Sequence, residues 1–414
     1  MRADFFSQAR WLNSRRVVVY PRIFVAVYAV AIVALLAASP HLIDPFGKPI
    51  GTDFLSIWAA GKLAVSGEPA AAYDWARHFA VQRDALAWAN GQAIPVSAWH
   101  YPPMFLIIAA GLAFLPYAAA LAVWLSATLL AYLATIRAII PDRRALIAAL
   151  AFPAVFVNLG HGQNGFLTAG LLGGGLVLLD RRPGLAGVLL GLLAYKPQFG
   201  LLVPLVLLIG GHWRAMILAA LTVIVTVLVS WALLGSETWY AFIGSLAHTK
   251  GFLLEQGAPG WAKLQSTFAA VRLLGGSIAS AYAAQALVAA LATAAVVWAW
   301  RQPVELALKS AALVTATVMV TPFVLDYDLI VLALPIAWIS AAALRQGFLP
   351  WEKIGLFAAW MLPLLSRLIG QHLGLPTAPI VLALLLALIL RRVAASAGAT
   401  PVSSRHFSDE RGLA

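Results

Sequence analysis

The stretch His100–Ala138, HYPPMFLIIAAGLAFLPYAAALAVWLSATLLAYLATIRA, has no acidic or basic side chain between its first residue and Arg137. A helix needs about 20 apolar residues to cross the hydrocarbon core of a bilayer, and Tyr117–Ile136 alone has that length. The two prolines at 102–103 fit the first turn of a helix, where a missing N–H costs little. Pro116 divides the run, which predicts a helical hairpin or a kinked pair of helices.

Similar apolar segments recur along the 414 residues, of which 62% are hydrophobic and only 11% are charged. A soluble domain carries about 25% charged residues, so this composition is that of a membrane protein. We therefore predict an all-α polytopic membrane protein with roughly ten to thirteen transmembrane helices. No internal sequence repeat is present, which disfavours a transporter built from inverted repeats. The other clear segments are Ile23–Ala38, Ala215–Leu234, Ala279–Trp300, Leu329–Leu344 and Pro379–Leu390.

The net charge of +12 is spread over small basic clusters between apolar runs, such as Arg143-Arg144 and Arg181-Arg182. Such clusters are typical of the positive-inside bias of multi-span proteins, whereas nucleic-acid binding needs a coherent basic face with interleaved aromatics. The chain has no cysteine, which excludes disulfides and thiol catalysis. We predict a cytoplasmic N-terminal segment at 1–22, a transmembrane domain at 23–393 and a disordered cytoplasmic tail at 394–414.

With the N-terminus inside, residues 40–101 form the first outer loop. The loop contains five of the sixteen acidic residues, namely Asp44, Asp53, Glu68, Asp74 and Asp84. Two of its parts have the pattern of short amphipathic helices, Phe54–Ser66 and Tyr73–Asn90, and the second contains Trp75 and Trp88. Helices with such tryptophans lie at membrane interfaces. We predict interfacial helices here, with ordinary loop helices as the alternative.

Two charged side chains stand out against the apolar pattern. Asp53 follows a Gly-Thr pair just after the first apolar run. Either Thr52 or Asp53 caps the N-terminus of a helix here, or Asp53 has a function. Lys196, in AYKPQ, lies inside a run that otherwise contains apolar residues, Gly, Pro and Gln. An ionisable residue at membrane depth indicates a functional site. The alternative is a lysine that snorkels from an ordinary helix end.

Two polar clusters also interrupt apolar runs. The sequence GHGQNG places His161, Gln163 and Asn164 on a glycine-rich turn, where they contact sugar hydroxyls or a phosphate, or simply cap helix ends. The sequence TPFVLDYD places Asp326-Tyr327-Asp328 between two apolar spans. These groups either position an acceptor and a partner of Asp53, or form a short loop with an interfacial Tyr and solvated carboxylates. The chain has no Walker loop, no paired His spacing for a metal and no Gly-x-Ser-x-Gly elbow.

Five of these segments stand in an order that resembles a known family of enzymes. They read GTDFLSIWAAGKLAVSGEPAAAYD, YPPMFLIIAAGLAFLP, GHGQNG, GLLAYKPQFGLLVPLVLL and TPFVLDYDLIVLALP. In this order they resemble glycosyltransferase family 87, a branch of the GT-C polytopic glycosyltransferases that includes polyprenol-phosphate-mannose-dependent phosphatidylinositol-mannoside mannosyltransferases. The resemblance covers roughly residues 20–345. It implies a GT-C type of fold and a lipid-linked sugar donor.

The resemblance assigns roles position by position. The family's proposed catalytic base, an Asp in an Asp-Phe context, matches Asp53. Three further motifs match Tyr101-Pro102-Pro103, Gly162-Gln163 and Lys196-Pro197. One motif departs, because many members carry an aromatic-His pair after a Ser-Pro, whereas this chain has Thr321-Pro322 followed by Asp326-Tyr327. A histidine of that motif therefore has no counterpart in this segment.

The implied chemistry is a direct displacement at the anomeric carbon. Asp53 takes the proton of the acceptor hydroxyl as general base, with inversion. No metal or cofactor is required, and the alternative is a metal bound at the Asp-x-Asp spacing of Asp326-Tyr327-Asp328. We expect the donor phosphate to be bound electrostatically by Lys196, His100 and Tyr101. We expect the sugar or the acceptor to contact His161, Gln163, Asn164, Asp326 and Tyr327.

We therefore predict a membrane hexosyltransferase that moves a hexose, mannose by the family's commonest association, from a polyprenyl-phosphate sugar to a lipid or glycan acceptor. Its expected place is the bacterial inner membrane, among membrane lipids, with the active site facing the periplasm or exterior and with no nucleic-acid partner. The alternative is a secondary transporter or a flippase for envelope precursors, since broken helices and Lys196 near the midplane fit one. A non-catalytic structural subunit of an envelope-assembly complex is a third interpretation.

Overall fold

The computed structural model describes residues 2–85 and 96–398. This part of the chain is built from α-helices joined by short 3₁₀ turns, and its β pairing is limited to two isolated bridges, Ile43 with Pro49 and Leu264 with Leu325. The predicted all-α class is confirmed. Trp88 and the end of the predicted helix Tyr73–Asn90 lie outside the described residues.

The α-helices have the following bounds: α1 Arg2–Gln8, α2 Ser14–Ala37, α3 Thr52–Val65, α4 Trp75–Asp84, α5 Pro103–Ala113, α6 Tyr117–Ile139, α7 Arg143–Leu150, α8 Pro153–His161, α9 Gly165–Leu178, α10 Pro183–Leu192, α11 Val203–Ile209, α12 Trp213–Thr249, α13 Thr267–Leu273, α14 Ile278–Arg301, α15 Leu306–Val320, α16 Ala333–Gln346, α17 Glu352–Leu373 and α18 Thr377–Gly398. The 3₁₀ turns are Pro40–Leu42, Pro69–Tyr73, Leu193–Tyr195, Pro197–Phe199 and Asp326–Leu332, and a π-helical segment, Lys250–Glu255, follows α12.

The described residues contain seven helical segments long and apolar enough to cross a membrane, and the pair α7–α8, bent by 55°, makes an eighth. A multi-pass membrane protein is therefore confirmed. Five further apolar helices have only 10–17 residues. Whether they cross the membrane depends on where the bilayer lies, so the number of ten to thirteen transmembrane helices stays a prediction. The long apolar windows of α2 and α12 are each only 6% buried, as expected for helices that face lipid.

The ends of the chain differ in detail from the predicted boundaries. Helix α2 begins at Ser14, inside the segment 1–22 that was predicted as the cytoplasmic terminus. Helix α18 runs to Gly398, a few residues into the predicted tail 394–414. The rest of that tail lies outside the described residues.

Helix α3, predicted as an interfacial helix of the outer loop, packs inside the bundle. Phe54 and Leu55 are fully buried. Gly61 explains the close approach to α5, because a Cβ at this position would lie 2.0 Å from the backbone oxygen of Ala109. The apolar side of α3 is thus satisfied by other helices, and the start of the helix is held rigidly within the protein.

The apolar run around Lys196 is broken, as its Lys-Pro sequence predicts. Helix α10 ends at Leu192, two 3₁₀ turns follow on either side of Lys196, and α11 begins at Val203. Non-helical backbone at membrane depth is tolerated where it is buried in protein or lines a cavity. Lys196 is buried here, at 3% exposure, so the break faces the interior of the bundle.

Candidate functional site

Asp53 lies in the first turn of α3. The helix begins at Thr52 and its N-cap is Gly51, whose backbone is left-handed (φ +73°). The expectation that Thr52 or Asp53 itself caps the helix is therefore wrong. A carboxylate in the first turn of a helix nevertheless interacts favourably with the helix dipole.

The GHGQNG turn lies directly against the start of α3. Helix α8 ends at His161, Gly162 adopts a left-handed conformation (φ +67°), and α9 begins at Gly165. A Cβ on Gly162 would lie 2.5 Å from the Cβ of Phe54. Glycine is thus required here for two reasons, its backbone conformation and its close approach to α3. This contact brings the polar side chains of the turn to Asp53.

Gln163 and His161 are the neighbours of the Asp53 carboxylate. The Nε2 atom of Gln163 donates a hydrogen bond to Oδ2 of Asp53 at 2.9 Å. The Nδ1 atom of His161 lies 3.6 Å from the same oxygen and 3.0 Å from Oγ1 of Thr52. The side chains of Asp53 and His161 are 16% and 25% exposed, so a ligand can reach both. The structure thus supplies an imidazole beside Asp53 from a different segment than the one in which family members carry a histidine.

Tyr101 stands behind this group. Its hydroxyl donates to Oε1 of Gln163 at 3.4 Å, and its ring packs against Trp99 and Phe105. Burial raises the pKa of the Tyr101 hydroxyl, so the group stays a neutral hydrogen-bond donor. Tyr101, Gln163 and Asp53 therefore form a chain of hydrogen bonds that ends at the carboxylate.

Lys196 is paired inside the protein. Its Nζ atom donates to Oδ1 of Asp328 at 2.5 Å and to Oδ1 of Asn164 at 3.0 Å. The two charged side chains are 4% and 0% exposed, so the alternative of a snorkelling lysine is wrong. The predicted role of Lys196 in binding phosphate requires this pair to open.

His100 is also held inside. Its Nδ1 atom lies 3.1 Å from Oγ1 of Thr249. Burial, together with the neighbouring His78 and His248, lowers the pKa of His100 to about 4. The imidazole is therefore neutral at pH 7, and it offers a phosphate a hydrogen bond but no positive charge.

The Asp326-Tyr327-Asp328 segment is an interior ion-pair segment and not a solvated loop. Asp326 accepts a hydrogen bond from Nη1 of Arg367 at 3.1 Å, and its side chain is 3% exposed. The Tyr327 ring centroid lies 5.2 Å from Nζ of Lys196 and 5.8 Å from Nζ of Lys263. The interpretation of this segment as a loop with solvated carboxylates is wrong, because both carboxylates are buried and paired.

The predicted site residues therefore divide by access. Asp53 and His161 are open to a ligand, whereas Gln163, Asn164 and Asp326 are 6%, 0% and 2% exposed and act from behind the surface. Sequence reasoning missed Lys263 and Arg367. Arg367 carried a signal, because it is a charged residue within an apolar helix. Lys263 carried none, because it lies in a segment of mixed polarity.

No three His, Asp or Glu side chains in the described part of the chain lie close enough together to share a metal ion.

The comparison with protein families agrees with the resemblance seen in the sequence. The family model described as glycosyltransferase family 87 matches residues 99–322, which is more than half of the chain. The match includes the GHGQNG turn and Lys196, while Asp53 and Asp326 lie outside it. Searches of curated proteins and of solved structures gave no match. A multi-pass helical chain with this match over most of its length belongs to glycosyltransferase family 87 and is a membrane glycosyltransferase.

Proposed function

We propose that the chain transfers a hexose, mannose in the first instance, from a polyprenyl-phosphate sugar to a hydroxyl of a lipid or glycan acceptor. We place the reaction at the outer face of a bacterial inner membrane, with the site open to the periplasm or exterior. The observation that carries the proposal is the Asp53 carboxylate. One of its oxygens, Oδ2, is held by Gln163, while Oδ1 has no hydrogen-bond partner among the described residues and is free to accept a proton.

The proposed step is a single displacement. The acceptor hydroxyl gives its proton to Oδ1 of Asp53 as its oxygen bonds to the anomeric carbon. The bond from that carbon to the phosphate oxygen breaks, and the electron pair leaves with the polyprenyl phosphate. A single base and direct attack from the face opposite the phosphate predict inversion of configuration.

The neighbouring residues have separate parts in this proposal. His161 is exposed enough to contact the sugar or the acceptor directly. Gln163 and Asn164 hold the base and the turn in place from behind. Tyr327 presents its ring next to two lysines, and Asp326 fixes Arg367. Lys196 and Asp328 form a neutral pair beneath the site.

The test is transfer from a panel of radiolabelled polyprenyl-phosphate sugars, comparing wild type with Asp53→Asn. The wild type is expected to release free polyprenyl phosphate from one sugar donor of the panel. Loss of the base in Asp53→Asn is expected to lower this turnover about 10²–10⁴-fold. Asp74→Asn is the matched control, because Asp74 lies in the same outer loop and caps α4, and Asn caps a helix about as well as Asp. Full activity of Asp53→Asn removes this residue from the chemistry.

A further inference from the structure

Lys263 is a positive charge that has no negative partner among the described residues. The residue is partly buried, and its Nζ atom makes neither a hydrogen bond nor an ion pair with any residue in the ranges 2–85 and 96–398. Its contact is the ring of Tyr327, with 5.8 Å from Nζ to the ring centroid. A charge that is partly removed from water is costly unless it is paired. The arrangement of Lys263 therefore indicates that an anionic ligand binds beside it while the protein is active.

The backbone holds Lys263 firmly beside the Asp326–Tyr327 segment. The amide of Asp326 donates to the carbonyl oxygen of Lys263 at 3.1 Å, and the amide of Gln265 donates to that of Val324 at 2.8 Å. These bonds flank the antiparallel bridge between Leu264 and Leu325. The lysine is thus fixed against the interior ion-pair segment and not carried on a free loop.

Arg367 brings a second cation to the same place. One face of α17 meets the Lys263 segment, because a Cβ at Gly370 would lie 3.0 Å from the Cβ of Ala262. Arg367 lies one turn before Gly370 on that face. Its Nη1 atom is bound by Asp326, and its side chain is 38% exposed. A guanidinium has five N–H donors, so Arg367 keeps donors for a ligand.

Both cations lie near the group beside the base. The ring of Tyr327 lies 5.8 Å from Nζ of Lys263 and 6.4 Å from the imidazole ring of His161, and Arg367 is bound to Asp326, the residue before Tyr327. His161 in turn lies 3.6 Å from Asp53. The two cations and the carboxylate are therefore grouped around His161 and Tyr327, and Nζ of Lys196, paired with Asp328, lies 5.2 Å from the same Tyr327 ring.

We infer that Lys263 and Arg367 bind the phosphate of the lipid-linked donor, an assignment that rests on the proposed function. Lys196 is already neutralised by a buried carboxylate, and His100 is held inside by Thr249. Lys263 supplies a charge that no described residue pairs, and Arg367 supplies the planar set of donors that matches phosphate oxygens. As the bond to the anomeric carbon breaks, these two groups stabilise the charge that develops on the leaving phosphate.

The test measures binding of three probes to the full chain in lipid nanodiscs: a polyprenyl phosphate, the matching polyprenol without phosphate, and inorganic phosphate. Lys263→Gln is expected to weaken polyprenyl phosphate about tenfold, since a hydrogen bond to a charged group is lost, and to leave polyprenol binding unchanged. Lys353→Gln is the control. Lys353 is also partly buried over a ring, that of Phe348 at 5.2 Å, and it lies about 21 Å from Arg367 along α17.

Arg367→Gln is expected to act in the same direction, but it also leaves Asp326 without its partner, so the Lys263 variant decides the question. Unchanged affinity of Lys263→Gln for polyprenyl phosphate, or an equal loss for polyprenol, overturns the inference. The inference is also overturned if Lys263→Gln lowers the affinity for inorganic phosphate alone. If the wild type binds polyprenyl phosphate through Lys263 but transfers no sugar, the proposed function fails and the phosphate site stands. If transfer depends on Asp53 but neither binding nor transfer depends on Lys263, the reverse holds.

Discussion

The hydrogen bond from Gln163 to Asp53 gives a sharp prediction for Gln163→Leu. The substitution removes one bond to an ionised oxygen at 2.9 Å, and such bonds contribute about 1.5–3 kcal/mol. Asp53 is 16% exposed, so water replaces part of the lost bond and the lower value applies. A loss of about 1.5 kcal/mol corresponds to about a tenfold lower kcat/KM. Gln163 positions the base and is not itself expected to react.

Steady-state transfer assays separate this role from simple damage to the fold. A positioning residue is expected to lower kcat with KM nearly unchanged. In the Asp53→Asn background, Gln163→Leu is expected to cost almost nothing further, because the two residues act as one unit. Gln302→Leu serves as control, since Gln302 is the C-cap of α14 and its Nε2 atom donates to the backbone oxygen of Trp298 in that helix. A tenfold additional loss in the Asp53→Asn background, or an unchanged kcat in the single variant, refutes the reasoning.

Three stability predictions concern buried groups, and thermal unfolding of the purified protein in one detergent measures each. Lys196→Met leaves Asp328 buried and unpaired, so about 3–5 kcal/mol of stability is lost, and a companion Asp328→Leu is expected to recover much of it. Arg392→Met breaks the buried pair with Glu352 at similar cost, with unchanged turnover per folded molecule. Gly61→Ala destabilises by forcing α3 from α5. A variant that unfolds at the same temperature as the wild type contradicts the expectation for that variant.

The sequence predicts the class of fold because apolar length is a local property. The runs around Tyr117–Ile139 and Ile278–Arg301 are helical as their composition requires, and the break at Lys196 follows from its neighbouring proline. Burial of α3 was not predictable in the same way. Its amphipathic pattern marks an apolar side, but only the backbone contact at Gly61 decides that α5 covers that side.

The partners within the site depend on contacts between distant segments. Gln163 and Asp53 are 110 residues apart, and Lys196 and Asp328 are 132 residues apart. The first pair meets because Gly162 allows the turn to touch Phe54, which no periodicity in the sequence encodes. The Asp326 segment has no histidine, and the fold instead brings Nδ1 of His161, from the turn after α8, to 3.6 Å from Oδ2 of Asp53.

The Lys196–Asp328 pair has a consequence for how the protein enters its membrane. The lysine is synthesised first, and its carboxylate partner follows 132 residues later. Until then an unpaired lysine in an apolar segment costs about 2.5–3.5 kcal/mol on the insertion scale. The segment around Lys196 is therefore expected to insert poorly into the membrane by itself. The ion pair can form only after the Asp326–Leu332 turn has been synthesised, so we expect a late, charge-neutralising step in the biogenesis of this bundle.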